Sequence, residues 1–187
     1  MVGFFYCAWY NNRMIINGQN VQIIACTSGT GKTTLAKQNK NFVDIDREKM
    51  FCKYPDLPRD IDETQIEKLK GESHKKSKDY PENFIKLFFK MIDEGKTLLV
   101  VPEPFIMGII SVHNLPYVLV YPSIECKEEY SKRMLNRGNS REFAGWFSDY
   151  YDKYYLDNEN DKMAVKKIKL MPGQYLSDII ETLDKDL

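Results

Sequence analysis

The sequence lacks several features that would place it in a specialised class of protein. Its four cysteines lie far apart and form no Cys-x-x-Cys pair, which argues against disulfide or metal frameworks and favours reduced thiols. Lysine plus arginine and aspartate plus glutamate both number 27, so the formal net charge is zero. Broad electrostatic binding of nucleic acid usually requires a basic excess. No apolar run reaches the roughly 20 residues that span a bilayer, and we expect no membrane partner.

The apolar content is sufficient for one buried core. The chain has 187 residues, of which 43% are hydrophobic, about the size of one domain. Residues 2–10 are apolar and aromatic but lack the basic start and cleavage site of a secretory signal. Met14 is an alternative start, because the strand and loop that follow need nothing before Ile15; an added edge strand is the other interpretation. We predict an N-terminal extension over 1–20, one domain over 21–187, and a cytoplasmic protein.

The strongest local signal is the stretch over residues 25–34, which reads Ala-Cys-Thr-Ser-Gly-Thr-Gly-Lys-Thr-Thr. An apolar run leads into it and a helix-like run leads out, which is the layout of a phosphate-binding loop. Backbone N–H groups there can wrap a polyphosphate, and the helix start adds favourable partial charge. Lys32 can reach the β- and γ-phosphates, and the Thr33 hydroxyl can ligate Mg²⁺. The consensus has glycine five residues before Gly31, where this chain has Cys26, so we expect a reshaped loop. The predicted nucleotide-binding residues are Ser28, Gly29, Thr30, Gly31, Lys32, Thr33 and Thr34.

Strand-like and helix-like segments alternate along the rest of the chain. The predicted strands are residues 21–25, 42–45, 97–101, 117–121 and 166–170. The predicted helices are residues 33–40, 81–94, 105–112, 124–137, 143–155 and 175–183, and a polar segment that begins at 46 is also expected to be helical. We expect Ser123 to cap the helix over 124–137 and residues 157–161 to be a polar break. The alternation predicts a three-layer α/β/α fold with a mostly parallel, five-stranded sheet.

Residues 47–80 form the least regular part of the chain and are predicted to be an insertion on the acceptor side. A helix over 61–70 fits within it. The basic run over 74–78 is either solvated surface or a patch that faces phosphate. Arg47 could orient an anionic acceptor or make a surface ion pair.

Acidic residues follow two of the predicted strands, at the sheet edge where ligands of such folds bind. Asp44 and Asp46 come after the second strand, and two acids spaced by two can both point toward a site. One can hold Mg²⁺, and the other can accept the proton of an acceptor hydroxyl or bind the acceptor; alternatively, Asp46 is a helix N-cap. Glu103 follows the third strand between two prolines and is either a second metal-binding acid or a surface turn residue. The predicted metal-binding set is Thr33, Asp44 and Glu103.

Three arginines surround a glycine turn after the fourth strand. Arg133 and Arg137 are four residues apart and share a helix face, and Arg141 follows the turn. Arginine forks bind phosphate oxygens bidentately, so residues 124–145 are predicted to form a small lid that excludes water. The alternative is a solvated basic face.

These residues resemble the small phosphate-loop kinases of the nucleoside monophosphate kinase and shikimate kinase superfamily. The resemblance rests on residues 29–34, on Asp44-x-Asp46 and on the segment that carries the three arginines. The two acids are similar to those of shikimate and gluconate kinases and to the acid after strand two of polynucleotide kinases, where an Asp serves as base. The segment over 121–143 also looks like small phosphate-loop proteins of phages and viruses, which implies a role in nucleotide metabolism.

The residues and the resemblance together predict a kinase that uses ATP and Mg²⁺. The expected acceptor is a nucleotide or nucleoside, and the predicted catalytic residues are Lys32, Asp44, Asp46, Arg133 and Arg137. Arg141 is added to the nucleotide-binding set. One alternative is a kinase of hydroxyl groups, of the polynucleotide kinase or shikimate kinase type; zero net charge disfavours a nucleic-acid end as acceptor. The other alternative is a nucleotide-binding regulator or NTPase with no small acceptor.

Overall fold

Eight segments of extended chain are seen in the computed structural model, which describes residues 7–10, 13–16, 18–61 and 76–183. The strands are β1 (Cys7–Tyr10), β2 (Arg13–Ile16), β3 (Gln19–Val21), β4 (Ile23–Cys26), β5 (Phe42–Asp44), β6 (Thr97–Val100), β7 (Val118–Pro122) and β8 (Lys166–Leu170). The helices are α1 (Lys32–Gln38), α2 (Ile45–Lys53), α3 (Glu82–Asp93), α4 (Pro104–Val112), α5 (Lys127–Asn136), α6 (Arg141–Glu159) and α7 (Leu176–Leu183).

The central sheet has five strands in the order β5-β6-β4-β7-β8, and every pairing within it is parallel. All residues of β4, β6 and β7 are buried. Continuous burial is expected of parallel strands that are covered on both faces, because crossover helices lie on either side. The predicted α/β class and the five-stranded, mostly parallel sheet are therefore confirmed.

The two faces of the sheet have separate cores, as the alternation of side chains along a strand requires. Ile24 and Cys26 of β4 pack in one cluster with residues of α1 and α7. Ile23 and Ala25 pack in the other, with Phe84 and other residues of α3 and α4. Each face is covered by helices that bury an apolar stripe against it.

The N-terminal strands form a second sheet, which is antiparallel and has the order β1-β2-β3. Met14, Ile16 and Val21 are fully buried in the same cluster as Ile24. β1, β2 and β3 pair with one another and do not join the five-stranded sheet, so the open alternative of an edge strand added to that sheet is not what these residues form. The predicted strand over 21–25 is also divided, since Val21 ends β3 and β4 begins at Ile23.

The N-terminal cap expected at Ser123 does not form. Ser123 makes no capping hydrogen bond, and its Oγ lies 3.4 Å from Cys126 Sγ instead. A 3₁₀ turn over Ile124–Cys126 precedes α5. The capping serine of this region is Ser140, whose Oγ accepts a hydrogen bond from the Phe143 N–H at the start of α6.

The polar break predicted over 157–161 does not interrupt α6, which continues to Glu159. Its last residue, Glu159, contacts the sheet through both its side chain and its backbone carbonyl. The Tyr121 hydroxyl donates to Glu159 Oε2 at 2.8 Å, and Lys167 Nζ donates to the Glu159 carbonyl at 2.6 Å. These tertiary contacts stabilise a helix end that local polarity disfavours.

The helix predicted over 61–70 lies, apart from Ile61, outside the described residues, as do positions 74 and 75 of the basic run. Among the helices that the structure describes, none is long and apolar enough to cross a membrane.

Candidate functional site

The order of the strands reverses around β4. From β4 the chain passes to β5 at the edge, returns to β6 beside β4, and then crosses to β7 on the other side. In open α/β sheets, ligands bind outside the carboxyl ends of the strands at such a reversal. The loop over 27–31, which follows β4, and Asp44, which ends β5, lie at this position.

Two glycines in left-handed conformations shape the loop. Gly29 has φ +86° and Gly31 has φ +94°, a region that residues with a Cβ rarely adopt. A Cβ on Gly29 would lie 2.8 Å from Met134 Cε, and one on Gly31 would lie 3.4 Å from the Tyr175 ring. The backbone conformation therefore favours glycine at both positions, and at Gly29 a Cβ would also require Met134 to shift.

Lys32 folds back over the loop that precedes it. Its ammonium Nζ lies 3.3 Å from the Cys26 carbonyl oxygen and 3.2 Å from that of Thr27. It also forms an ion pair with Asp46 Oδ2 at 3.7 Å. The lysine is buried, so its charge is held at the inner end of the loop, where it can meet an anionic group.

Thr33 and Asp44 are in direct contact. The Thr33 hydroxyl donates a hydrogen bond of 2.6 Å to Asp44 Oδ2. The other carboxylate oxygen, Oδ1, is buried and has no hydrogen-bond partner among the residues that the structure describes. A buried, unpartnered carboxylate oxygen requires an explanation such as a bound ion or water.

This pair fits Mg²⁺ on the chemistry of its donors, because Mg²⁺ takes oxygen ligands and is often bound by one carboxylate plus substrate phosphates. Within the described residues no group of three or more His, Cys, Asp or Glu side chains could hold a metal ion. Of the predicted metal-binding set, Thr33 and Asp44 are brought together. Glu103 lies on the same cavity, but its carboxylate pairs closely with Lys49 Nζ.

Asp46 lies in the first turn of α2, next to the Lys32 ammonium. Burial raises the pKa of its carboxyl above the ordinary value, and this effect exceeds the opposing effect of Lys32; the charge of Asp44 adds to the rise. Its Oδ2 is buried without a hydrogen bond. A desolvated carboxylate of raised pKa is better suited to accept a proton than an ordinary surface acid. Asp44, not Asp46, occupies the N-cap position of α2, and it makes no capping hydrogen bond, so the N-cap expectation for Asp46 is wrong.

A cavity of about 910 Å³ opens above these groups. It is within the range of sites that bind cofactors and substrates. The lining on the loop side is Ser28, Gly29, Gly31, Lys32, Thr33, Thr34, Arg133, Met134, Asn136, Arg137, Asn139, Phe143 and Tyr175. The lining on the α2 side is Asp44, Asp46, Arg47, Lys49, Met50, Lys53, Tyr54, Tyr80, Val101, Glu103 and Phe105. The cavity lining thus extends to both sides of Lys32.

The three predicted lid arginines occupy different environments. Arg133 is buried and donates from Nη1 to the Gly29 carbonyl at 3.0 Å. Arg137 is exposed and lines the cavity. Arg141 is exposed at the first position of α6 and is not among the residues that line this cavity, and its assignment to the nucleotide-binding set stays a prediction.

Thr30 and Cys26 are buried in the protein and do not line the cavity. The Thr30 hydroxyl donates to the Thr27 carbonyl at 2.8 Å, and the side chain is buried outside the cavity lining. Cys26 ends β4 and is fully buried, and burial raises the pKa of its thiol to about 11. It has no positive φ, so the strand does not require glycine at this position. The backbone at Cys26 is therefore not in a conformation that needs glycine, and the reshaped loop that we expected from this residue stays a prediction.

The Arg47 guanidinium is bound to the chain that follows α2. Nη2 donates to the carbonyls of Arg59 and Ile61, both at 2.9 Å, and the group lies 5.4 Å from the centre of the Phe51 ring. It holds the segment after α2 against that helix. These contacts alone explain the position of the Arg47 side chain, without an ion pair or a bound acceptor.

Sequence reasoning did not identify the segment that follows β8. The Tyr175 ring lies beside Gly31, and the Leu176 N–H donates to the Thr30 carbonyl at 2.8 Å. Arg133 Nη2 donates to the Gln174 carbonyl at 3.0 Å. The strand-end rule points to the chain after β8 in general, but no motif marks these residues.

Comparison with protein-family models and with curated proteins found no match to the chain.

Proposed function

We propose that the protein is an ATP- and Mg²⁺-dependent phosphotransferase with the three-layer fold of the phosphate-loop kinases, and that it acts on a nucleotide or nucleoside acceptor. The observation that carries the proposal is one pair of contacts on one cavity. Lys32 pairs with Asp46, and Thr33 donates to Asp44, at the point where the strand order reverses. A lysine, a hydroxyl, a buried acid and a half-buried acid at that point are the groups that phosphoryl transfer requires.

The donor triphosphate would lie on the loop side. The glycine turns allow the backbone of residues 28–34 to approach the phosphates, and Lys32 neutralises charge on the transferred group. Thr33 and Asp44 would hold Mg²⁺, which when bound neutralises charge on the β- and γ-phosphates. Arg137, on the exposed rim of the cavity, is the arginine of the predicted lid best placed to close over the donor.

The acceptor would lie on the α2 side, next to Asp46. A carboxylate repels an acceptor phosphate but accepts a hydrogen bond from an acceptor hydroxyl, and its raised pKa favours proton uptake. We therefore favour a hydroxyl acceptor. Asp46 takes the hydroxyl proton as the oxygen bonds to the γ-phosphorus; the bond from that phosphorus to the β,γ-bridging oxygen breaks, and ADP leaves.

A panel of nucleosides, nucleotides and oligonucleotides, incubated with γ-labelled ATP and Mg²⁺, tests the proposal. We expect label in an acceptor that carries a free hydroxyl, and loss of transfer in Lys32→Met. Release of labelled phosphate that no acceptor changes would instead support an NTPase or regulator. No transfer and no hydrolysis would reject a phosphotransferase.

A second candidate acceptor is the end of a nucleic acid strand, which specific contacts favour despite the zero net charge. Lys53 Nζ lies 5.2 Å from the centre of the Tyr54 ring, and Lys76 Nζ lies 5.4 Å from that of Tyr80. Both tyrosines line the α2 side of the cavity, and the Ser77 N–H donates to the Lys53 carbonyl at 2.8 Å. Paired lysines and aromatic rings suit phosphates and stacked bases.

Salt dependence distinguishes a strand from a mononucleotide. For an oligonucleotide acceptor, KM should rise steeply between low and physiological salt, and Lys53→Ala should reduce that slope by about one phosphate contact. A KM that salt leaves unchanged, or a preference for free nucleosides, would reject this candidate.

A further inference from the structure

We propose that Arg133 and Glu129 form a clamp that holds the phosphate loop in its binding conformation, so that Arg133 is a positioning residue and does not grip the transferred phosphoryl group. The inference rests on the proposed function for the meaning of the loop. It replaces the role expected for Arg133 from its place in a lid.

The Arg133 guanidinium joins three segments that are distant in sequence. Nη1 donates to the Gly29 carbonyl in the loop, and Nη2 donates to the Gln174 carbonyl after β8, both at 3.0 Å. Nη2 also pairs closely with Glu129 Oε1, one turn earlier on α5. Loop, helix and the segment after β8 are thus joined through one planar group.

Glu129 extends the connection with its second oxygen. Oε2 accepts a hydrogen bond of 2.9 Å from the Gly173 N–H, next to the residue that Arg133 itself contacts. The carboxylate therefore fixes both the guanidinium and the backbone on which the guanidinium rests. Charge-assisted hydrogen bonds of this kind are stronger than neutral ones.

Two aromatic rings enclose the guanidinium. Its central carbon lies 3.9 Å from the centre of the Tyr175 ring and 4.7 Å from that of Tyr130. Only 9% of the Arg133 side chain is exposed. Stacking on rings in a dry environment strengthens a cation–π contact and fixes the plane of the fork.

The clamp acts on the orientation of loop peptides. The Gly29 carbonyl is held by Arg133, and the Thr30 carbonyl is held by the Leu176 N–H at 2.8 Å. In a trans peptide the C=O and the following N–H point in opposite directions. The N–H groups of Thr30 and Gly31 are therefore fixed on the side away from these partners. Without the clamp, the peptides could turn and present carbonyl oxygens to a phosphate.

The contacts also oppose a direct catalytic role. Both terminal nitrogens of Arg133 are already bonded, and Nε is buried without a partner. To grip a phosphoryl group, the side chain would have to leave two carbonyls, a carboxylate and two rings. Arg137, on the next turn, is exposed and lines the cavity.

The variants Arg133→Ala, Arg133→Lys, Glu129→Ala and their double mutants test the clamp, and Lys132→Ala, an exposed neighbour on α5, is the matched control. Hydrogen exchange of the loop amides is the first measurement, because it needs no nucleotide. We expect faster exchange over residues 28–31 in Arg133→Ala and Glu129→Ala, and no change in the control. The two effects should be less than additive, since both remove one network. Lysine should not restore protection, because it lacks the planar fork.

Affinity and turnover provide the second measurement. A disordered loop should weaken MgADP and MgATP binding by the same factor, about 10- to 100-fold, while kcat at saturating ATP changes less. If turnover instead slowed by about two orders of magnitude or more while MgADP affinity stayed unchanged, Arg133 would act on the transferred group and the clamp would be overturned. Unchanged exchange in Glu129→Ala would overturn it as well.

The clamp and the proposed function fail separately. If the wild-type protein binds no nucleotide but the variants expose the loop amides, the clamp stands and the phosphotransferase is rejected. If nucleotide binds to the wild-type protein but the variants leave exchange of the loop amides unchanged, the phosphotransferase stands and the clamp is rejected. Should Arg133→Ala not fold, Arg133→Lys and Glu129→Gln, which keep most of the packing, provide the same comparison.

Discussion

Replacing Asp46 with Asn should make the protein inactive toward a hydroxyl acceptor and at the same time no less stable. The substitution preserves shape and removes one charge. Asp46 Oδ2 lies 3.7 Å from the Lys32 ammonium, and opposite charges at that distance attract by about 4 kcal/mol at an effective dielectric constant of about 20. The pKa of Asp46 is nevertheless raised, so the penalty of burial is larger than this attraction.

The pH dependence of stability follows from that direction. The folded protein holds the Asp46 proton more tightly than the unfolded chain does. The stability that protonated Asp46 contributes is therefore complete when the pH is below the ordinary pKa of 3.8, and it is lost as pH rises through the raised pKa. The asparagine variant has no such loss. Thermal unfolding should show its Tm at or above that of wild type at pH 7, with the difference disappearing as pH falls below 3.8.

Activity should change in the opposite direction. Loss of a general base lowers kcat by about 10²- to 10⁴-fold, which is about 2.7 to 5.5 kcal/mol of transition-state stabilisation. Transfer of label from ATP, measured beside the exposed-site variant Asp149→Asn, gives the comparison. A variant that keeps more than a third of wild-type turnover on a hydroxyl acceptor would show that Asp46 is not the base. A Tm below that of wild type at pH 7 would refute the burial argument.

The other predictions concern the loop. Thr33→Ala removes the hydroxyl that bonds Asp44, and the Mg²⁺ concentration for half-maximal activity should rise by roughly tenfold or more; an unchanged Mg²⁺ titration would exclude this pair as the metal site. Gly29→Ala forces a Cβ to φ +86° and against Met134, so Tm should fall by about 2 to 8 °C in a differential scan, and an unchanged Tm would contradict the packing described. Cys26 should resist alkylation at pH 8 until the protein unfolds, because burial raises the pKa of its thiol to about 11; rapid labelling of the native protein would mean that the loop opens.

The sheet and its polar edge could be predicted from the sequence because local patterns determine them. Continuous or nearly continuous apolar runs identified the strands over 21–25, 97–101 and 117–121, and alternation identified the strand over 166–170. Parallel strands present their carboxyl ends at one edge. That rule placed Thr33 beside Asp44, although 11 residues separate them. It also placed Glu103 on the same cavity, but it could not show that Lys49 would bind its carboxylate.

The surroundings of Arg133 could not be predicted because they arise from tertiary packing. The arginine lies 104 residues from Gly29 and 41 residues from Gln174. Glu129 lies one helical turn before it on α5, and the two side chains form an ion pair. Spacing alone does not show whether the helix face that carries them meets solvent, a ligand or the loop. The error over 157–161 has the same origin, since contacts with the sheet stabilise the end of α6.

The two acids after β5 acquire different roles from a change of secondary structure between them. Side chains two residues apart on a strand point the same way, and on that basis Asp44 and Asp46 were expected to point toward one site, with one acid for Mg²⁺ and the other for the acceptor. The strand instead ends at Asp44, and α2 begins at Ile45, which is fully buried and anchors the turn. Asp46 is therefore carried around the first turn of a helix, away from Thr33 and toward Lys32. One carboxylate accepts a hydrogen bond from the residue that would bind metal, and the other forms an ion pair with Lys32 on the side where an acceptor would arrive. A strand that continued two residues further, through Asp46, would instead direct both acids to the same face of the sheet.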